Sequence, residues 1–238
     1  MTSGFTATIP GLAIAAILAS GLFAGCQGTH EARSVKTAGF LQNYEQLKPG
    51  RDGQSKLVYV NPKTNFAKYH SILLDPVKMY AAEGSFFTKA SPEVRQSLVN
   101  YADASIRKEL ENSYTFVTQP GMGVMRFRLA VTDAEGGNVV TDTISSVVPI
   151  GLAVSILKTA ITGAGTGVGS CSIEFEAVDA VTGERLAAVV DKRIGDKFTG
   201  KFDKFSEWHA VKASFDYWSA LLKTRLLELQ AGAGTPKS

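Results

Sequence analysis

The chain has 238 residues, of which 45% are hydrophobic and 20% are charged, and it contains 8 prolines. This composition is typical of a globular protein and excludes collagen-like, disulfide-dense and broadly disordered classes. With 25 Lys and Arg against 22 Asp and Glu, the net charge is +3. Because the basic residues do not cluster in the sequence, the charge does not predict nucleic-acid binding.

Residues 1–25 contain no charged side chain and no histidine, and from Gly11 to Gly25 they are almost entirely small and aliphatic. This run is shorter than the roughly 20 residues that a helix needs to cross a bilayer. The segment therefore predicts a cleaved signal peptide over residues 1–25. The alternative is a retained anchor helix, which would leave the following domain on the same side of the membrane.

A cysteine follows this run directly, in the order Leu22, Phe23, Ala24, Gly25, Cys26. The order resembles the lipobox of bacterial lipoproteins. The resemblance implies that Cys26 becomes the first mature residue and carries a diacylglycerol on its thiol and an acyl chain on its amine. Two acyl chains are enough for stable anchoring. Because Gln27 rather than Asp comes next, analogy with enterobacterial sorting favours the outer membrane, facing the periplasm.

The rest of the chain predicts one domain. Residues 26–38 are polar and without periodicity, which predicts a lipidated cysteine and a flexible tether. Residues 39–230 predict a single periplasmic domain, and residues 231–238 predict a frayed tail. In Gly39–Gly50, hydrophobic residues at helical spacing predict one or two amphipathic turns packed on that domain.

The patterns in the domain predict an α+β fold of α/β layers. Helices are expected from Pro92 to about Asn112, with Ser91 as N-cap, and from Ser206 to Gln230. Alternating or apolar runs predict the strands Leu57–Val60, Ser71–Tyr80, Val124–Asp133, Asn138–Val148, Ser170–Asp179 and Leu186–Arg193. The expected architecture is a largely antiparallel sheet of about five or six strands, packed with two or three helices that include a long amphipathic C-terminal helix.

The segment Val147–Thr162 is almost wholly apolar. We expect a core helix here. The alternative is an exposed groove or partner-docking surface, because such patches usually mark interaction sites. Its candidate residues are Ile150, Leu152, Val154, Ile156 and Leu157. The glycine-rich stretch that follows fits no dinucleotide- or phosphate-binding motif.

The titratable residues predict no catalytic constellation. None of the 3 histidines has metal-ligand spacing, so we predict no metal site and no cofactor. No activated-nucleophile motif is present, and no catalytic residue is predicted. Cys171 lies in a strand-like run and is expected to be a buried, inert thiol rather than a nucleophile. A weaker alternative is an enzyme that uses Asp75 with His70.

Two pairs of charged residues have strand periodicity. Glu174 and Glu176 share one face of their strand, and Arg126 and Arg128 share one face of theirs. We expect both faces to be solvated. The acidic and basic faces are also expected to pair across the sheet.

Four stretches, in chain order, resemble one known family: GFLQNYEQLKPG, SILLDPVKMY, MRFRLAVTDA and DAVTGERLAA. The chain resembles the bacterial lipoproteins grouped as domain of unknown function 3313. That resemblance implies an envelope location and supplies no reaction, ligand or catalytic residue. More distantly, the order of elements resembles envelope lipoproteins that serve as accessory or assembly components, an analogy of fold only.

Together these features favour a non-enzymatic, membrane-anchored envelope lipoprotein that binds another envelope protein in assembly or transport. The alternative is a carrier or sensor of a small apolar or lipid-like ligand, motivated by the segment from Ile150 onward and the aromatic C-terminal helix. No nucleic-acid partner is expected.

Lipidation of Cys26 is directly testable. Radiolabelled palmitate supplied to the native host should enter the wild-type protein, and the protein should fractionate with membranes. An unlabelled protein recovered in the cytosolic fraction would contradict the anchor.

Overall fold

The computed structural model describes residues 29–81, 84–137, 168–195 and 208–232. In these ranges, nine strands form one sheet and two α-helices pack against it. The strands are β1 (Thr29–Glu31), β2 (Lys48–Pro49), β3 (Leu57–Val60), β4 (Ser71–Leu74), β5 (Lys78–Met79), β6 (Thr115–Phe116), β7 (Val124–Glu135), β8 (Ser170–Asp179) and β9 (Arg185–Gly195). The helices are α1 (Pro92–Leu110) and α2 (His209–Gln230).

The sheet is mostly antiparallel. Its order is β2-β3-β9-β8-β7-β4-β6, with β1 added to β9 and β5 added to β7. Strand β4 runs parallel to β6 and β7, and β5 runs parallel to β7. The α+β class is therefore confirmed, but the expected number of strands was too low. Strands β1, β2, β5 and β6 have only two or three residues each, too few for an alternating pattern to show in sequence.

Two further boundaries differ from expectation. The predicted strand Ser71–Tyr80 is divided into β4 and β5 around Pro76, which has no N–H group to donate to the ladder. The predicted tether ends earlier than expected, because Thr29–Glu31 pairs with β9. The predicted strand Asn138–Val148 lies outside the described residues, as does Ser206.

Helices α1 and α2 lie side by side and run parallel. Helix α1 begins as predicted, with the Ser91 side chain accepting a hydrogen bond from the Val94 N–H at 3.3 Å. Asp216 of α2 accepts hydrogen bonds from Tyr101 and Ser105 of α1, both at 2.9 Å. One to two turns later, Lys223 of α2 pairs with Glu109 of α1 at 3.1 Å. Both helices therefore begin at the same end of the sheet.

The main core lies between these helices and one face of the sheet. Phe127 of β7 and Phe175 of β8 meet edge to face with ring centroids 5.1 Å apart. Phe215 and Trp218 of α2 pack into the same cluster. Cys171 is fully buried here, and burial raises the pKa of its thiol, which confirms the expected buried thiol.

The hairpin between β8 and β9 is held by one carboxylate. Asp179 accepts hydrogen bonds from the backbone N–H groups of Val181 and Thr182 at 3.0 and 2.9 Å, and from the Tyr69 hydroxyl at 2.8 Å. Burial raises the pKa of Asp179, but the hydrogen bonds from Thr182, Tyr69 and Val181 outweigh burial and lower it from 3.8 to about 2.

Asp179 should therefore make the free energy of unfolding decrease as the pH becomes acidic. Since the folded pKa is below the unfolded one, its contribution of about 2 kcal/mol is fully present above pH ~4 and is lost as the pH falls toward ~2. Asp179→Asn should lower the free energy of unfolding by about that amount at neutral pH and flatten its acid dependence. Urea unfolding between neutral and acidic pH measures both effects.

Asp103→Asn on α1, which removes a partly exposed ion pair with Arg107, is the control and should change stability by less than about 1 kcal/mol. Equal pH profiles for wild type and Asp179→Asn would contradict the assignment.

Candidate functional site

The sheet face opposite the helices is covered by the N-terminal segment of residues 32–47, and Glu174 of β8 lies beneath it. Glu174 is completely buried, with 0% of its surface exposed. Its carboxylate accepts hydrogen bonds from the backbone N–H groups of Ala38 at 2.5 Å, Phe40 at 3.0 Å and Leu41 at 3.1 Å. The expected solvated face is therefore wrong for Glu174, because the segment covers it and supplies the donors that a buried carboxylate needs.

Tyr44 completes this arrangement, which we call the Glu174 cradle: Ala38, Phe40, Leu41, Tyr44 and Glu174. The Tyr44 hydroxyl donates to Glu174 Oε2 at 2.6 Å and accepts from the N–H groups of Gly39 and Leu41 at 2.9 and 3.1 Å. Burial, and then the hydrogen bond to the Glu174 carboxylate, raise the pKa of Tyr44 to about 12. The phenol is thus protonated at neutral pH and acts as a donor to Glu174.

Glu176 is also buried, which corrects the second expected solvated position. It forms ion pairs with Arg128 of β7 and, at 2.8 Å, with Arg185 of β9. Arg128 and Glu176 face each other in the sheet register, so the expected cross-strand pairing is confirmed. Arg185 also donates to the Asn43 carbonyl at 3.3 Å and to the Gln46 side chain at 3.0 Å, which ties the covering segment to the sheet a second time.

An apolar contact supports these polar ones. Leu41 and Leu47 are buried against Ala188 and Val190 of β9 in a small second core. The predicted amphipathic turns correspond to a single 3-10 turn at Tyr44–Gln46 between the two leucines. Asn43 before it has a left-handed φ of 52°, a conformation that asparagine adopts more readily than most residues.

The outer surface of the cradle carries a half-exposed aromatic cluster, the Phe40 patch: Phe40, Tyr80 and Arg128. The Phe40 and Tyr80 rings meet edge to face at 5.7 Å. The Arg128 guanidinium lies 5.5 Å from the centre of the Phe40 ring. Tyr80 is 42% exposed. The patch is held from below, because the Phe40 N–H binds Glu174 and Arg128 binds Glu176.

The structure does not support the proposed acid-base pair of His70 and Asp75. Asp75 binds Arg126 at 2.9 Å and lines a shallow cavity of about 400 Å³ that His70 does not line. His70 is exposed. Among the described residues, no group of His, Cys, Asp and Glu side chains could hold a metal ion.

Several predicted sites fall in the parts of the chain that the structure does not describe. The lipobox residues Leu22, Phe23, Ala24 and Gly25 and the lipidation site Cys26 lie outside the described residues. So do the surface candidates Ile150, Leu152, Val154, Ile156 and Leu157, and the ligand-carrier alternative that depends on them stays a prediction. No helix in the described ranges is long and apolar enough to cross a membrane.

Sequence reasoning missed the cradle because Glu174 alternates with apolar residues in the way a surface residue does. The available signal was the segment Gly39–Leu47, whose closely spaced Phe40, Leu41, Tyr44 and Leu47 require a surface to cover.

Comparison with known proteins identifies the family of this α+β domain. A family model described as "Protein of unknown function (DUF3313)" matches residues 36–222. The match includes the cradle, the sheet from β2 onward and most of α2, and the chain belongs to this bacterial lipoprotein family of unknown function.

Individual proteins that match this chain share less than a third of its aligned residues. Over 157 residues, the chain is 29% identical to the uncharacterized lipoprotein YdcL of Escherichia coli strain K12, covering 65% of this chain and 69% of YdcL. Among solved structures, a PelC dodecamer from Paraburkholderia phytofirmans aligns with a TM-score of 0.40 at 12% identity, covering 71% of this chain and 94% of that one. A DUF4136 family protein from Bacteroides thetaiotaomicron aligns with a TM-score of 0.30 at 10% identity, covering 71% and 95%.

Removing the charge at the centre of the cradle should release the covering segment. In Glu174→Gln one acceptor oxygen becomes an NH₂ group that faces donors, which should cost about 3 kcal/mol of unfolding free energy. The amide hydrogens of Phe40 and Leu41 should exchange much faster, as measured by hydrogen exchange, while those of β7 and β8 change less.

Glu228→Gln is the matched control, because Glu228 of α2 makes a partly exposed ion pair with Arg225. It should change stability by less than about 1 kcal/mol. Unchanged exchange at Phe40 and Leu41 in Glu174→Gln would show that the carboxylate does not hold the segment.

Proposed function

We propose that this protein is a lipid-anchored, non-enzymatic protein of the bacterial cell envelope whose domain binds another envelope protein in assembly or transport. Cys26 is its anchor, and the outer membrane, facing the periplasm, is its location. The lipobox resemblance, membership of DUF3313 and similarity to a lipoprotein support this proposal.

The observation that carries the binding role is the Phe40 patch. Aromatic side chains and arginine are enriched among the residues that contribute most to protein–protein binding. Here two aromatic rings and an arginine lie together, and the buried carboxylates of Glu174 and Glu176 fix Phe40 and Arg128. A surface that is already ordered loses little conformational entropy when a partner binds.

The polar groups of the described sheet support a non-enzymatic role. Glu174 and Glu176 are occupied by the cradle and by arginines, and Asp179 is occupied by the β8–β9 turn. Asp191 of β9 accepts hydrogen bonds from the Lys56 N–H at 2.9 Å and the Trp218 indole at 2.6 Å. These carboxylates hold the fold together and do not converge on an open cavity.

Photo-crosslinking in the native host tests the patch. A photoreactive phenylalanine analogue replacing Tyr80 in the full-length protein should yield an adduct of defined mass with one envelope protein. The same analogue at Met122, which is 96% exposed and lies before β7, should not. Phe40→Ala should reduce the Tyr80 adduct about tenfold, because losing an aromatic anchor costs more than about 1.4 kcal/mol of binding.

Leu227→Ala is the matched control, since Leu227 is a 44% exposed apolar residue on α2, away from the patch. It should leave the adduct unchanged. An adduct that persists in Phe40→Ala, or that forms equally at Met122, would contradict the proposed surface.

A further inference from the structure

The N-terminal strand fixes where a lipid anchor would hold the domain. Strand β1 pairs with the last residues of β9, with Thr29 opposite Gly195 and Glu31 opposite Arg193. The buried Arg193 side chain donates to the Thr29 hydroxyl at 2.9 Å and to its carbonyl at 2.5 Å. The guanidinium also lies 3.4 Å from the centre of the Tyr217 ring of α2. Thr29 is therefore held on both its backbone and its side chain.

Only a short length of chain separates this strand from Cys26. Three residue steps lead from Cys26 to Thr29, and an extended chain covers at most about 3.6 Å per residue. A lipid anchor at Cys26 would therefore be at most about 11 Å from Thr29, whatever path the chain between them takes. A tether this short keeps one end of the sheet next to the lipid surface and leaves little freedom to tumble.

Several other residues lie at the same end of the sheet as Thr29. We call this end the anchored end and define it by Thr29, Phe86, Lys89, Gly136, Gly195 and Trp208. Glu135 of β7 pairs with Ser170 of β8, which pairs with Ile194 of β9 beside β1. Trp208 precedes α2 and lines a cavity of about 290 Å³ together with Phe86, Lys89 and Gly136. The ends of β7 and β9 and the start of α2 therefore lie at the same end of the sheet as the N-terminal strand.

The chemistry of the anchored end matches a membrane interface. Trp208 and Phe86 are half-buried, and Lys89 is exposed with its ammonium group 4.9 Å from the centre of the Phe86 ring. Tryptophan and lysine are the side chains that favour the headgroup region, where apolar and charged surroundings meet. The parallel helices α1 and α2 both begin here, so the positive ends of their dipoles point the same way, which favours anionic headgroups.

From this placement we propose that the anchored end, with Trp208, Phe86 and Lys89, lies against the phospholipid headgroups and holds the domain in one orientation. This inference rests on the proposed lipid anchor and adds a second, non-covalent contact to it. The opposite end, at Met122, then points away from the membrane. Strand β7 has 12 residues, which places Met122 about 40 Å from the anchored end.

The 2 tryptophans of the chain make this orientation measurable. The acylated full-length protein is reconstituted into vesicles of phosphatidylethanolamine and phosphatidylglycerol, in which part of the lipid carries bromine on the acyl chain near the headgroup. The brominated lipid should quench the fluorescence of Trp208. It should not quench that of the buried Trp218, which is hydrogen-bonded to Asp191. Wild type should therefore lose a large fraction of its emission, and Trp208→Phe should lose little.

A relocated reporter supplies the matched control. The double variant Trp208→Phe with Met122→Trp carries its exposed indole at the opposite end and should not be quenched. Quenching of this double variant equal to that of wild type, or no quenching of wild type that floats with the vesicles, would overturn the proposed orientation. Failure of the wild type to float with vesicles would instead overturn the lipid anchor and, with it, the orientation.

Discussion

The Glu174 carboxylate lies in the middle of the sheet with no exposed surface, and the N-terminal segment of residues 32–47 is arranged around it. A buried carboxylate without donors is strongly destabilising. Three backbone N–H groups and a tyrosine hydroxyl meet this need, so the segment that carries them must cross the sheet at this point. Once it does, Leu41 and Leu47 are buried against Ala188 and Val190 of β9.

Buried charged side chains on β9 attach α2 and β1 to the sheet in the same way. Asp191 binds the Trp218 indole and thereby attaches α2 to the sheet, while Arg193 binds Thr29 and thereby attaches β1. Burial raises the pKa of Asp191 and lowers that of Arg193, which is the direction expected for charged groups removed from water. Polar groups in this protein thus join elements that are far apart in the chain.

This arrangement links the two proposed surfaces. The Phe40 patch belongs to the cover over Glu174, and the anchored end belongs to the strand that Arg193 holds. Both are outer surfaces of elements whose positions are set by buried charges. A domain held in one orientation on a membrane would present the Phe40 patch in a constant direction, which favours binding to a partner that is itself confined to the envelope.

Local patterns in the sequence determined the fold class, the start of α1 at Ser91, the long strands and the buried Cys171, because capping and periodicity depend on neighbouring residues. They also carried the family resemblance. Only the tertiary structure decided that Glu174 and Glu176 are buried, that Thr29–Glu31 is a strand and that Phe40 meets Tyr80. The physical reason is sequence separation: the donors to Glu174 lie 130 to 136 residues away from it, and no local pattern shows which distant segment will cover a strand.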